Sequence, residues 1–254
     1  MAGVVFAEPL VAARFLRRLN RFAALVEREE RPERVHVRNS GRLRELFVPG
    51  RPVLLDPATR EGRRTRFTLA LVRLSNGYVS ADAHLANALV ADGLRCHALP
   101  GFRGYRILRR EPPMGRNRAD FLLIRGGHRC LLEVKSVTLV EGGLALFPDA
   151  PTVRGRVHLE HLIAARRRGL GAGILFVIQR KDARALAPNW DADPEFGETL
   201  LRAAKAGVRV CAMISRVTKR CVQLVAPVPV RLAPPERRSG RQEKVDTRMR
   251  CRLG

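Results

Sequence analysis

The chain has 254 residues, 46% of them hydrophobic, enough for two modest cores, and its 48 Lys+Arg against 24 Asp+Glu leave a formal net charge of +24. That excess goes beyond what solubility requires and points to a polyanionic partner, nucleic acid first; a GC-rich codon bias explains arginine in place of lysine but not the missing acids. Five scattered cysteines without CxxC spacing or Cys/His clusters, and no run approaching the ~20 apolar residues of a membrane span, argue against a disulfide framework, a thiolate zinc site and membrane insertion, so a cytoplasmic protein is expected.

In chain order, residues 10 to 79 read as short strands over 10–19, 22–26, 34–37, 53–55 and 67–74. Asn39-Ser40-Gly41, Pro49-Gly50 and Asn76-Gly77 supply the turns between them. Five such strands predict a small barrel, and a short helix over 43–47 makes it OB-like. His36 is read as structural. Ser80 is the expected N-cap of a helix with Leu85, Ala86, Ala88 and Leu89 on its apolar stripe, ending at Gly93.

The pattern then alternates: strands over 105–108, 119–124 and 130–137, a helix over 152–168, and an apolar strand over 172–179. Asp193-Pro194 opens another helix that Gly207 closes, and strands over 208–214 and 223–230 follow. The division expected is a barrel over 1–80, an α/β domain with a crossover helix over 81–233, and a basic, aperiodic, disordered tail over 234–254.

The residues that carry chemistry sit on a predicted hairpin. Gly126-Gly127 suits a two-residue turn between Asp120-Phe-Leu-Leu-Ile and Cys130-Leu-Leu-Glu-Val-Lys135. That register sets Asp120 opposite Glu133, with Lys135 two residues further along the same face. Two opposed acids beside Leu122, Ile124 and Leu131 repel each other, which suggests a divalent cation between them, Mg²⁺ or Mn²⁺ in an all-oxygen setting. A D…ExK set of this kind suits phosphodiester hydrolysis: Asp120 and Glu133 as metal ligands, Lys135 on the attacking water and developing charge, and Glu111 as a third acid. The plain alternative is a surface ion pair between Glu133 and Lys135.

These residues resemble the sugar fermentation stimulation protein family of bacteria and archaea. The likeness runs from about Pro9 to Val230 on Asn20-Arg21-Phe22, Asn39-Ser40-Gly41-Arg42-Leu43, Asn87, Gly115-Arg116-Asn117-Arg118-Ala119-Asp120-Phe121, Leu132 through Leu139, Phe147-Pro148-Asp149-Ala150, Thr152-Val153-Arg154-Gly155 and His158-Leu159. It implies an OB-like N-terminal domain, a restriction-endonuclease-like PD-(D/E)XK α/β domain, DNA binding, and a role in regulating sugar (maltose-type) utilisation genes. Asp120, Glu133 and Lys135 fall on its nuclease-like motif, with Glu111 close to an acidic position before it. Asn117, Pro151 and His161 depart from the family pattern without touching those three.

Arg116 and Arg118 are candidate phosphate contacts, with pairing to Glu111 as the alternative. Arg154 and His158, four apart at the start of the 152–168 helix, are candidates of the same kind, as are Arg21, Asn39, Ser40 and Arg42 on the barrel, where a turn held by Asn39 and Gly41 is the simpler role. Gln179, at the end of its strand, either points at the site or is an ordinary strand-end residue. Gly169 to Gly173 follows a helix and precedes a strand, so it is a helix cap and turn rather than a phosphate loop. Three functions are separated: a metal-dependent deoxyribonuclease of low sequence specificity, a non-catalytic DNA-binding regulator, and an RNA-binding accessory. DNA, whether duplex, single-stranded or branched, is favoured over RNA, and a homodimer is an allowed assembly. No helix-turn-helix is present to read an operator.

Overall fold

The computed structural model describes residues 2–7, 9–58 and 64–234; from residue 235 onward the expected tail lies outside the described residues. The short strand β1 (Gly3–Val5) precedes β2 (Val11–Asn20), β3 (Ala23–Arg28), β4 (Arg31–His36), β5 (Pro52–Pro57), β6 (Phe67–Leu74) and β7 (Gly77–Ser80). The last six form one sheet in the order β4-β3-β2-β5-β6-β7, and a parallel pairing of His36 with Thr68 joins β4 to β6 and closes β2 to β6 into an OB barrel. Alternation along the strands sends Phe15, Val26, Val35, Val53, Leu55 and Leu69 into the barrel core.

Three local expectations are corrected here. The predicted helix over 43–47 is a turn, because Leu43 takes a positive φ of 51° and its carbonyl accepts from both Leu46 N and Phe47 N without a further turn following. Ser80 ends β7 instead of capping the next helix; Asp82 Oδ1 accepts from His84 N at 2.9 Å in its place. Strand β1 leaves the barrel of residues 1–80 altogether, pairing antiparallel with β18 (Cys221–Val228).

The second part runs α1 (His84–Arg95), β8 (Arg106–Arg110), β9 (Pro113–Met114), β10 (Asn117–Arg118), β11 (Phe121–Arg125), β12 (His128–Val137), β13 (Val140–Glu141), β14 (Leu144–Phe147), α2 (Val153–Arg167), β15 (Gly171–Ile178), β16 (Ala185–Pro188), α3 (Pro194–Lys205), β17 (Arg209–Val217) and β18. Helix α1 continues past Gly93, where a Cβ would stand 2.7 Å from Leu99 Cδ2; the glycine permits that close packing and does not end the helix.

The large sheet has the order β1-β18-β17-β15-β12-β11-β8. Its centre, β12-β15-β17, is parallel, with α2 and α3 as crossovers, and its flanks are antiparallel. Leu131, Val137, Ile174 and Phe176 point to α2 and α3, while Leu132, Val134, Leu175 and Val177 point to α1, so both faces are covered as a parallel sheet requires. The architecture is an OB barrel followed by a restriction-endonuclease-like α/β domain. The barrel sits against the second domain through Arg38 to Asp82 (2.5 Å), Leu43 N to Asp149 Oδ2 (2.9 Å), Thr138 Oγ1 to Glu45 Oε1 (2.8 Å) and Asn76 Nδ2 to Asp182 Oδ2 (2.7 Å). Among the described residues, no helix is long and apolar enough to cross a membrane.

Candidate functional site

The β11–β12 hairpin has the register deduced from Gly126-Gly127: Arg125 pairs with His128, and the rungs continue to Phe121 and Leu132. The ladder stops there because the Val134 N–H, which comes next on that side, is taken by the Asp120 side chain, whose Oδ2 accepts it at 2.7 Å. Asp120 Oδ1 accepts from Asn87 Nδ2 of α1 at 2.7 Å. The carboxylate is thus held by a strand and a helix at once. Burial pushes its pKa up, and the Glu133 charge pushes it further.

Glu133 lies on the α2 face of β12, only 2% exposed. Its Oε1 accepts from Lys135 Nζ at 2.5 Å and meets His158 Nδ1 at 2.5 Å, while Oε2 is buried with no hydrogen-bond partner. Burial alone would raise its pKa, but Lys135 and then His158 outweigh that and leave it below the usual carboxylate range. The ion pair of Glu133 with Lys135 is therefore a buried one, not the surface pair of the plain reading. The two acids differ in kind: Glu133 is ion-paired with Lys135, whereas Asp120 is held by hydrogen-bond donors and feels the Lys135 charge without pairing to it.

His158 is not available as a phosphate contact. Arg154 Nε donates to its Nε2 at 3.3 Å, so the ring proton belongs on Nδ1, pointing at Glu133. The sequence carries a signal for this, since an i, i+4 pair at the start of α2 faces the strand that bears Glu133, but spacing alone does not tell a carboxylate partner from a phosphate. Asn87 has no role legible in the sequence, and only the fold shows that it holds Asp120.

Glu111 is not brought to the carboxylates. Its side chain is exposed and paired with Arg118 at 3.3 Å, and only its backbone reaches the centre, Glu111 N donating to Asp120 O at 2.9 Å. No group of three acids, histidines or cysteines suited to a metal occurs among the described residues. Arg116 is exposed at the tip of the β9–β10 hairpin. Gln179 is fully buried and bonds Ser136 Oγ at 3.3 Å; both belong, by alternation, to the α1 face, opposite Glu133.

On the barrel, Arg21, Ser40 and Arg42 are exposed, whereas Asn39 is buried and its Oδ1 accepts from Gly41 N at 2.9 Å. A Cβ on Gly41 would stand 2.9 Å from Asp149 Oδ2. The Asn39-to-Leu43 and Phe147-to-Ala150 motifs are thus two halves of one clamp between the domains.

Residues 16–81 match the model of the SfsA N-terminal OB domain and residues 84–221 that of the sugar fermentation stimulation protein RE domain. The sugar fermentation stimulation protein homologue of Moorella thermoacetica is 46% identical over 225 residues, 88% of this chain and 97% of the relative. That of Pyrobaculum arsenaticum is 42% identical over 229 residues, 90% and 97%. Among solved structures, that of Pyrococcus furiosus SfsA in complex with Ca²⁺ aligns with a TM-score of 0.83 and 32% identity, over 89% of this chain and 97% of that one.

Proposed function

The chain belongs to the sugar fermentation stimulation protein family, and on that premise we propose that it binds DNA and hydrolyses phosphodiester bonds with low sequence specificity at Asp120, Glu133 and Lys135. The observation that carries the reading is the buried, unpartnered Oε2 of Glu133 beside Asp120, a carboxylate with no ion-pair partner of its own. Leaving a charged oxygen buried and unsatisfied costs several kcal/mol by order of magnitude. A divalent cation between the two acids removes that cost, and an all-oxygen donor set suits Mg²⁺ or Mn²⁺. The Ca²⁺ complex of the Pyrococcus furiosus relative supports the same choice of hard cation.

When bound, the cation supplies Lewis acidity and an acidified water. The chain's own residues do the rest. Val134 N–H and Asn87 aim Asp120, and His158 and Lys135 hold Glu133 Oε1 and leave Oε2 unengaged. Lys135 Nζ, with protons beyond the one given to Glu133, stabilises charge developing on a phosphate oxygen. A second reading, a DNA-binding regulator without cleavage, is favoured by Glu111, whose carboxylate turns to Arg118 and leaves two acids where a third was expected.

Cleavage of labelled single-stranded, duplex and branched DNA with Mg²⁺ or Mn²⁺ decides between them. Cleavage lost in Asp120→Ala and Lys135→Ala with DNA binding retained supports the nuclease. DNA binding without cleavage of any substrate overturns hydrolysis and leaves the regulator.

A further inference from the structure

We infer that strand β8 and the β9–β10 hairpin form a track on which a nucleic-acid phosphodiester backbone lies as it approaches Asp120, Glu133 and Lys135. The inference rests on the proposed function for where the track leads, and adds which surface holds the polymer.

Strand β8 is the outermost strand of the seven-stranded sheet, bonded on one side only to β11. Four of its five residues, Arg106, Leu108, Arg109 and Arg110, are exposed. Between positions 103 and 129 the chain carries eight arginines and two acids. Of those acids, Asp120 is committed to Asn87 and Val134, and Glu111 reaches only Arg118. The other arginines form no ion pair with an acid among the described residues. Two, at the α1-face rim of this edge, are held in place without being neutralised: the Arg110 guanidinium lies 5.6 Å over the Phe121 ring, and that of Arg125 lies 4.8 Å over Tyr105 and donates to Arg103 O at 3.3 Å. Stacking of this kind leaves the N–H edge of a guanidinium free for a phosphate. Arg106 and Arg109, by contrast, pair with Ile124 and Leu122 and lie on the α2 face with Glu133.

The surface is also concave where it nears the centre. Arg109, Arg110, Glu111, Pro113 and Arg118 line a basin of about 340 Å³. The chain passes from that basin to the candidate ligand directly, since Glu111 N donates to Asp120 O at 2.9 Å. Along the strand, Arg106 to Arg110 spans roughly 13 Å at ~3.3 Å per residue, about four phosphate steps of one duplex strand measured along the helix axis. Charge on an edge strand also prevents edge-to-edge pairing of sheets, but that need is met by one or two charges on a strand this short. It leaves the continuation onto Arg116 of the hairpin unaccounted for, since Arg118 alone there is paired, to Glu111.

The test is binding of a fluorescent duplex across a salt series with EDTA present, so that cleavage plays no part. The double variant Arg106→Gln/Arg109→Gln is compared with a charge-matched control on the exposed end of α2, Arg167→Gln/Arg168→Gln. The track predicts weaker binding and a log K against log salt slope shallower by about 2 units, ~0.9 for each phosphate no longer neutralised. The control keeps the parent slope. Equal effects of the two pairs, or none from the β8 pair, would overturn it, and the same series on a single-stranded oligonucleotide tells which form lies on the track. Ca²⁺ titration of the β8 variant separates the two ideas: cation binding stays at the parent level if only the track was altered, whereas a parent that binds no cation sinks the metal centre without bearing on the track.

Discussion

His158 Nδ1 stands 2.5 Å from Glu133 Oε1, and both side chains are only 3% exposed. With Arg154 donating to the other ring nitrogen, the imidazole donates through Nδ1 and orients a carboxylate. Removing such a support costs about 10–100-fold in metal affinity. Calorimetric titration with Mn²⁺ should therefore show His158→Ala weaker by that factor, and His158→Gln, whose amide can still donate, closer to the parent. Unchanged affinity in His158→Ala would remove His158 from the site.

Asp120→Asn is expected to stabilise the cation-free protein while abolishing its response to cations. The Val134 bond survives on the amide oxygen, and the Asn87 bond survives in reverse, with the Asn87 amide flipped so that its Oδ1 accepts from the new N–H. What disappears is a half-buried negative charge beside Glu133. A gain on the order of 1 kcal/mol corresponds to a Tm about 2–4 °C higher for a chain of this size. A lower Tm in EDTA would mean that the Asp120 charge is already balanced in the cation-free protein.

The two acids also predict opposite pH dependences. Asp120 has a folded pKa raised above its unfolded value, so its ionisation opposes folding: the penalty is present above the folded pKa and is relieved as pH falls through it. Glu133 has a folded pKa below its unfolded value, so its contribution is present above the ordinary carboxylate pKa and is lost as pH falls through the folded one. In EDTA, the Tm difference between the parent and Asp120→Asn should shrink as pH drops through the raised Asp120 value. Mn²⁺ affinity should weaken over the same interval, since proton and cation compete for one carboxylate. A Tm difference constant from neutral pH to below the ordinary carboxylate range would contradict this assignment.

The hairpin register is legible because Gly126-Gly127 fixes pairing by geometry alone, and the strands of barrel and sheet follow from alternation that tertiary packing then reinforces. Other features are not. Strand β1 carries only three residues, and its partner β18 lies more than two hundred positions away, so no local pattern announces the pairing. Strand β16, Ala185–Pro188, is too short to show a period and is stabilised by parallel pairing with β14. The 43–47 helix fails because the positive φ of Leu43 follows from its N–H being drawn to Asp149 in the other domain. At the site, residue types locate Asp120, Glu133 and Lys135, but which way Glu111 and His158 point depends on Arg118 and Arg154, whose placement only the fold supplies.

Arg18 should matter to the barrel more than any residue chosen there for nucleic acid. Its guanidinium donates to five backbone carbonyls, those of Asn20 (3.1 Å), Arg21 (2.6 Å), Asn39 (2.8 Å), Gly41 (2.5 Å) and Arg42 (2.8 Å), and lies 5.3 Å over the Phe47 ring. Two separate loops are thereby tied to one strand, and they carry Arg21, Ser40 and Arg42, so a phosphate contact there depends on Arg18 for its geometry. Three donors on a lysine cannot serve five acceptors, and an alanine serves none. Urea unfolding should show Arg18→Ala less stable by on the order of 2–3 kcal/mol, as expected for loss of several charge-assisted bonds that water replaces in part, with Arg18→Lys between it and the parent. Mn²⁺ affinity at Asp120 and Glu133 should stay unchanged in both, because the tie lies wholly within the barrel loops. A loss below about 0.5 kcal/mol, the range of ordinary surface substitutions, would mean that the clamp of Asn39 to Leu43 onto Asp149 holds these loops without it.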